Sequence, residues 1–368
     1  MTNVTDIHVL AEQWQSLRQQ EPKMRIRDAA LRLGASEGEL LATRLLDGES
    51  GGGRVVRLGG DFKRLLRDIE LLGEVMALTR NNAMVHEKTG QYKGLTVNGN
   101  MGLALGVIDL RIFFSRFVYG FAVEEPLPGA DGMRRSLQFF NGRGEAVHKI
   151  YLTEASDQEQ YTQLLARFQS EDQTPGMVLE PLPETTPETA PETTPADLDV
   201  AALRQDWSAL KDVHHFQALL KKYHLNRINA YEVIGEEYAT ELAPEVFVAA
   251  LEAAQASGLS IMLFVGSEGV IQIHTGPISN LVRTGDWFNI MDKGFNLHAK
   301  TTLIDRAWLV RKPTVDGVVS SLELYDGDGN QLALMFGERK NGQPELEGWR
   351  LILENLQQHY ALEQEGVA

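Results

Sequence analysis

The chain has 368 residues, 43 % of them hydrophobic, with 35 basic against 51 acidic side chains, a formal charge of −16 and no cysteine. The missing cysteines exclude disulfides, thiolate-bound zinc, iron–sulfur clusters, thiolate-ligated haem and cysteine nucleophiles. The acidic balance argues against a nucleic-acid partner, which needs a basic footprint to displace counterions.

The N-terminal segment MTNVTDIHVLAEQW is polar and amphipathic, without a basic stretch followed by an apolar one. No apolar run approaches the roughly 20 residues that span a bilayer. A cytoplasmic protein without membrane insertion is expected. Residues 1–170 carry 21 basic and 21 acidic groups and so are neutral as a block. Residues 171–200 hold six of the 13 prolines, eight acids and no Lys or Arg, in repeated Pro-Glu-Thr units. Such a segment has too little apolar surface for a core, and it is predicted to be an extended linker. Residues 201–368 form a second block with 14 basic and 22 acidic groups.

The second block reads as helices over 203–223, 228–236 and 244–256, followed by strands. SIMLFVGSEGVIQIHTG is a predicted hairpin around Gly266-Ser267-Glu268-Gly269, and GVVSSLELYDGDGNQLALMFG is another around Asp-Gly-Asp-Gly. The two blocks also resemble each other. LAEQWQSL (Trp14) matches LRQDWSAL (Trp207), VIDLRIFF (Arg111) matches GFNLHAKT (His298), and YGFAVEE (Glu125) matches RAWLVRK (Lys312). SLQFFNGRGEAV matches SLELYDGDGNQL, and the closing helices align Tyr161, Leu164, Leu165 and Phe168 with Trp349, Ile352, Leu353 and Leu356. Five matches in one order, at offsets of 185 to 193, indicate a tandem duplication. The fold class expected is α+β: two halves, each with helices followed by a largely antiparallel sheet, and a ligand cleft between them.

Common enzyme motifs are missing: there is no GxGxxG after a strand, GxxxxGK[ST], HExxH, GxSxG or EF-hand loop. The nine histidines include no i, i+4 pair. His214 and His215 stand out in KDVHHFQALLKKYHLN, where a helix places one of them on or beside the apolar face. Two readings fit: a partly buried structural histidine, or a single axial ligand to a flat apolar cofactor. The repeat comparison bears on this choice. Arg311-Lys312 lies opposite Glu124-Glu125, Arg339 opposite Glu154, Arg227 opposite roughly Glu37, and His214 opposite roughly Met24. Cations gathered in one repeat suit an anionic ligand, although surface charges also drift freely because an exposed ion pair contributes only about 0–1 kcal/mol.

With LKDVHHFQALLKKYHLNR, LFVGSEGVIQIHTG, VRKPTVDGVVSSLELYDGDG and VIDLRIFF in view, the sequence resembles the HemS/ChuS/HmuS family of bacterial cytoplasmic haemin-binding and haemin-degrading proteins. The resemblance covers nearly the whole chain outside the linker. It implies haem b as ligand and substrate, in a cleft between an N-terminal repeat (1–170) on the distal side and a C-terminal repeat (201–368). It also implies His214 as the axial ligand of the haem iron, Arg111 as a distal and catalytic arginine, and Phe113 as a distal-pocket aromatic. Arg227, Lys312 and Arg339 are implied as the cations for the haem propionates. One departure is Phe336, where a tyrosine is expected three residues before Arg339. The implied activity is oxidative haem degradation that releases iron, with an electron donor. The alternative is a haem carrier between an inner-membrane importer and a separate haem oxygenase. His215 and His298 are the reserve ligand candidates.

Overall fold

The computed structural model describes residues 6–46, 53–127, 129, 131–181, 194–340 and 342–362. They form two compact units. Unit 1 comprises Met1–Arg80, His86–Pro183 and Gly266–Gln272, and unit 2 comprises Asn81–Val85, Glu184–Val265 and Ile273–Ala368. Each unit thus includes a short hairpin turn contributed by the other half of the sequence. Of the predicted linker, residues 171–200, the central Pro-Glu-Thr units at 182–193 lie outside the described residues. Its first residues lie along unit 1: Gln173 Oε1 accepts the Arg57 backbone N–H (2.9 Å), and Gly142 accepts the N–H of Glu180 (2.8 Å).

Unit 1 begins with helices α1 (Ile7–Gln20), α2 (Ile26–Leu33) and α3 (Glu37–Thr43), then strand β1 (Arg54–Leu58) and helix α4 (Phe62–Asp68). Strands β2 (Gly73–Arg80), β3 (Met84–Gln91), β4 (Thr96–Asn98), β5 (Met101–Ala104), β6 (Asp109–Phe113), β7 (Tyr119–Pro126), β8 (Met133–Phe140) and β9 (Ala146–Ser156) follow, and helix α5 (Gln158–Phe168) closes it. The strands run β1-β7-β8-β9-β2-β3, with a separate run β4-β5-β6.

Unit 2 repeats this order. Helices α6 (Val200–Ser208), α7 (Phe216–Tyr223) and α8 (Arg227–Ile234) precede strand β10 (Ala239–Leu242) and helix α9 (Val246–Ser257). Then come β11 (Ile261–Gly266), β12 (Val270–Gly276), β13 (Leu281–Thr284), β14 (Trp287–Asp292), β15 (Phe295–Lys300), β16 (Arg306–Thr314), β17 (Gly317–Tyr325), β18 (Gln331–Gly337) and helix α10 (Glu347–Tyr360). The strands run β10-β16-β17-β18-β11-β12 and β13-β14-β15. The α+β class, the antiparallel sheets and the duplication are therefore present.

The sheet of unit 2 is covered on both faces because its central strands alternate two apolar sets. In β16, Ala307 and Leu309 join a core with α9 and α10, whereas Trp308 and Val310 join one with α6, α7 and α8. Each such side chain contributes roughly 1.5–3 kcal/mol of apolar burial. In unit 1 the α4 and α5 face is built in the same way, from Leu65, Leu66, Val75, Ile150, Leu164 and Phe168.

One predicted element differs. The helix expected over 203–223 is two helices with a break between them. Asp212, extended at φ −155° and ψ 144°, caps a short 3-10 turn over Val213–His215, from which α7 continues. Its carboxylate accepts the N–H of His214 (2.8 Å), a local bond that competes with helix continuation. Neither His214 nor His215 therefore lies on an apolar face. Both are exposed, and Phe216 takes the buried position.

Candidate functional site

The break that corrects the helix also presents the histidine. The Asp212 carboxylate holds the His214 ring a second time, 2.6 Å from Nδ1, while the side chain stays 88 % exposed. Because a carboxylate can only accept, Nδ1 carries the proton, and in the neutral ring the lone pair sits on Nε2. Among the described residues Nε2 has no hydrogen-bond partner. A histidine oriented through one nitrogen, with the other open, is the arrangement of a metal-ligating imidazole. The backbone N–H of His214, helped by its ring, in turn holds the Asp212 carboxyl below its usual range against the opposing effect of burial. No three His, Asp or Glu side chains converge among the described residues, so the site offers one ligand and not a cage.

Two residues further on, Phe216 fixes the turn to the body of unit 2. Its ring packs edge-on against Trp207 (4.8 Å between centroids) and stacks on Tyr231 at 15°. Lys312 Nζ lies 4.5 Å from the Phe216 centroid and the Arg227 guanidinium 5.2 Å from it. Both cations converge on Glu323, a fully buried carboxylate on β17. Glu323 Oε1 accepts from Lys312 Nζ (2.6 Å) and Ser321 Oγ (2.9 Å). Oε2 accepts from Tyr231 Oη (2.7 Å), Tyr325 Oη (2.9 Å) and Arg227 Nη1 (3.3 Å). Burial alone would raise the Glu323 pKa, but Lys312 and Arg227 outweigh it and hold it at about 2. Burial dominates at Lys312 and lowers its pKa against the pull of Glu323.

Among the cations implied for an anionic ligand, Arg227 and Lys312 are thus brought together, and Glu323 is the residue that sequence reasoning missed. Arg227 keeps part of its side chain at the surface, whereas Lys312 is buried and faces the carboxylate of its own chain. Arg339 follows the end of β18, half-buried, where its charge is felt by Glu345. Phe336 packs edge-on against Phe264 (5.3 Å), so the ring stands in an apolar pair where a hydroxyl was expected. In unit 1, Asp109, Arg111 and Phe113 share one face of β6 and are partly exposed, while Leu110 and Ile112 are buried on the other. Arg111 pairs with Asp109. His298 bonds through Nδ1 to Asn289 Oδ1 (2.8 Å) on β14.

Equivalent helix caps fix the repeat register at the site. Gly34 and His224 both end a helix in the left-handed conformation, and Ser36 and Asn226 both cap the next one. Glu37 and Arg227 are therefore equivalent first residues, and His214 is equivalent to Met24. Each first residue forms an ion pair with its sheet, in opposite polarity: Glu37 with Lys149 of β9, and Arg227 with Glu323 of β17.

The sequence signature of the Haemin-degrading HemS.ChuX domain matches this chain twice, over residues 34–168 and 224–356. The chain belongs to this family. The two matches fall one in each half, as the tandem duplication requires. The HemS/ChuX chain is 38 % identical to hemin transport protein HmuS of Yersinia pestis over 345 residues, 93 % of this chain and 95 % of that one. It is also 38 % identical to hemin transport protein HemS of Yersinia enterocolitica, over 92 % of this chain and 94 % of its relative. Among solved structures, holo-PhuS, a heme-binding protein of Pseudomonas aeruginosa, matches with a TM-score of 0.88 and 44 % identity, covering 95 % of this chain and 98 % of that one. The heme degrading enzyme ChuS of Escherichia coli O157:H7 matches with a TM-score of 0.85 and 33 % identity, covering 95 % and 99 %.

Proposed function

We propose that this chain binds haem through His214 and degrades it oxidatively, releasing iron. The observation that carries the reading is the Asp212–His214 pair, which presents Nε2 to an incoming metal centre in a fixed tautomer. Haem supplies the redox-active iron and the oxidisable ring; the protein supplies orientation and electrostatics. Arg227 and Arg339 act at the propionates by charge-assisted hydrogen bonding, and Lys312 adds positive charge from beneath Phe216. Arg111, with Phe113 on the same face of β6, is assigned as the hydrogen-bonding cation toward the reacting haem. A guanidinium that keeps its proton donates hydrogen bonds there without ligating iron. Among the described residues no helix is long and apolar enough to cross a membrane, which suits haem received from an importer rather than carried through a bilayer by this chain.

The related proteins named for hemin transport favour a second reading, in which the chain carries haem to a separate oxygenase. One experiment decides between them. The protein is reconstituted with haemin, ascorbate or a reductase is added in air, and the Soret band is followed with and without catalase. Band loss that persists with catalase and yields a defined tetrapyrrole supports degradation. Loss that catalase abolishes is peroxide bleaching and supports the carrier. A His214→Ala/His215→Ala double variant with an unchanged haemin spectrum overturns the ligand assignment and directs attention to His298.

A further inference from the structure

Unit 1 contains a cavity of about 290 Å³ that the proposed haem chemistry does not use. It lies where α5 crosses the β1-β7-β8 edge, and its chemistry comes from Arg54, Glu124, Arg135 and Tyr161 over an apolar floor that includes Leu165. One buried hydrogen-bond donor in this lining, the Tyr161 hydroxyl, lacks a full partner, and a half-buried guanidinium, Arg54, stands beside it. Tyr161 is only 2 % exposed, and its hydroxyl has no partner at full hydrogen-bonding distance, although the Glu124 carboxylate acts on it. Among the described residues the Arg54 guanidinium makes neither a hydrogen bond nor an ion pair. Arg135, by contrast, is engaged with Glu124 (3.5 Å) and Gln158 (2.9 Å).

The equivalent place in unit 2 is finished differently. Trp349 stands where unit 1 has Tyr161, and its indole Nε1 donates to the Ser320 carbonyl (3.0 Å). Arg311, opposite Glu124, reaches Gln357 Oε1 (2.6 Å). Unit 2 satisfies its donors here, while unit 1 leaves the buried Tyr161 hydroxyl without a full partner beside a cavity. A buried donor without a full partner costs about 1–3 kcal/mol, so the Tyr161 hydroxyl is best kept where something supplies an acceptor.

We infer that this cavity binds a small oxyanion, a carboxylate or phosphate, that also carries a hydroxyl or amino group. Arg54 and the Tyr161 hydroxyl hold the oxyanion, and Glu124 accepts from the donor group. Burial, followed by the nearby Glu124 charge, raises the Tyr161 pKa, so the phenol remains a donor at neutral pH. The volume suits roughly ten non-hydrogen atoms.

Calorimetric titration of the full chain at fixed ionic strength tests this, with inorganic phosphate, L-malate and acetate as probes. Saturable binding of malate or phosphate is expected, with a Kd near or below about 1 mM and acetate weaker. Malate ahead of phosphate identifies a hydroxycarboxylate as the ligand class; the reverse order identifies a phosphate. Arg54→Gln should weaken binding about tenfold or more and Tyr161→Phe about fivefold, since both lose bonds to a charged group. Tyr161→Trp, which installs the unit 2 solution, should abolish it. His214→Ala should leave it unchanged. Absence of saturable binding to every probe, or equal binding by the Arg54→Gln and Tyr161→Phe variants, overturns the assignment.

Discussion

Lys312 donates a 2.6 Å hydrogen bond to Glu323 where water reaches neither group: the two side chains are 6 % and 0 % exposed. Opposite charges at that depth are costly to desolvate, and six donors from six side chains, Gln331 Nε2 (3.4 Å) among them, satisfy the carboxylate in return. Removing one partner is therefore worse than removing both. Glu323→Gln should destabilise unit 2 by about 3–5 kcal/mol, because Lys312 is left as an uncompensated buried cation. Lys312→Met/Glu323→Leu should cost less than the single change. Urea unfolding of wild type and the two variants checks the order, and a double variant worse than Glu323→Gln would show that the pair is not the organising interaction. Haemin affinity should fall with Glu323→Gln as well, since Phe216 links this cluster to the His214 turn.

Two buried groups set the acid limit, through different windows. Glu323 has a depressed pKa of about 2 in the folded chain against about 4.3 unfolded, so its stabilisation is complete above the unfolded value. It is lost as pH falls from about 4.3 towards 2. His148 in unit 1 is buried neutral, its pKa pushed down to about 3 by burial against a smaller opposing backbone bond to Leu78. The unfolded chain takes up that proton near pH 6.5, so stability should begin to fall there, by about 1.4 kcal/mol per pH unit for one proton. The stability difference between wild type and His148→Gln, measured in urea at pH 7.5, 6 and 5, should shrink steadily as the pH drops. A difference that stays constant would remove His148 from the account.

The repeat, the antiparallel hairpins and the position of His214 were legible in the sequence because each rests on local pattern: matched segments, alternation around turns, an Asp-Val-His string. The exposed state of His214 was not. Apolar spacing runs through 203–223 without interruption, and the signal that stops the helix is the single Asp212 cap. Glu323 was hidden for a different reason. In SSLELYDG it reads as an ordinary outward-facing strand acid, and only the packing of α7 and α8 on that face brings Arg227 and Tyr231 to it. The buried state of Lys312 follows from the same long-range packing, which repeat comparison of charges does not register.

The Asp212–His214 bond also carries a prediction. Outer-shell partners of a ligating histidine typically account for 10–100-fold in metal affinity. Asp212→Ala should therefore weaken haemin binding by at least about tenfold. Asp212→Asn can still accept from Nδ1 and from the N–H of His214, so it should keep most of the affinity while shifting the Soret band through a less basic imidazole. Equal spectra and affinities for wild type and Asp212→Ala would leave His214 without its orienting partner and send the ligand search to His215.

The end of α7 supplies the last prediction. His224 has φ 53°, the one non-glycine residue with positive φ among the described residues. It sits at a helix end where the next N–H, from Leu225, returns to the Leu220 carbonyl (3.0 Å) and the Leu225 side chain is buried. That is the Schellman arrangement, in which glycine is the usual occupant because a side chain there is strained by roughly 1–2 kcal/mol. The equivalent residue of unit 1 is Gly34, at φ 65°. His224→Gly loses some of that strain relief to the greater freedom of an unfolded glycine. A net gain of about 0.5–1 kcal/mol in unit 2 is expected, read as a higher urea midpoint with the same slope. His224 is exposed and makes no side-chain hydrogen bond among the described residues, so haemin affinity should not change. A drop in affinity with the midpoint raised would instead place the His224 ring at the ligand.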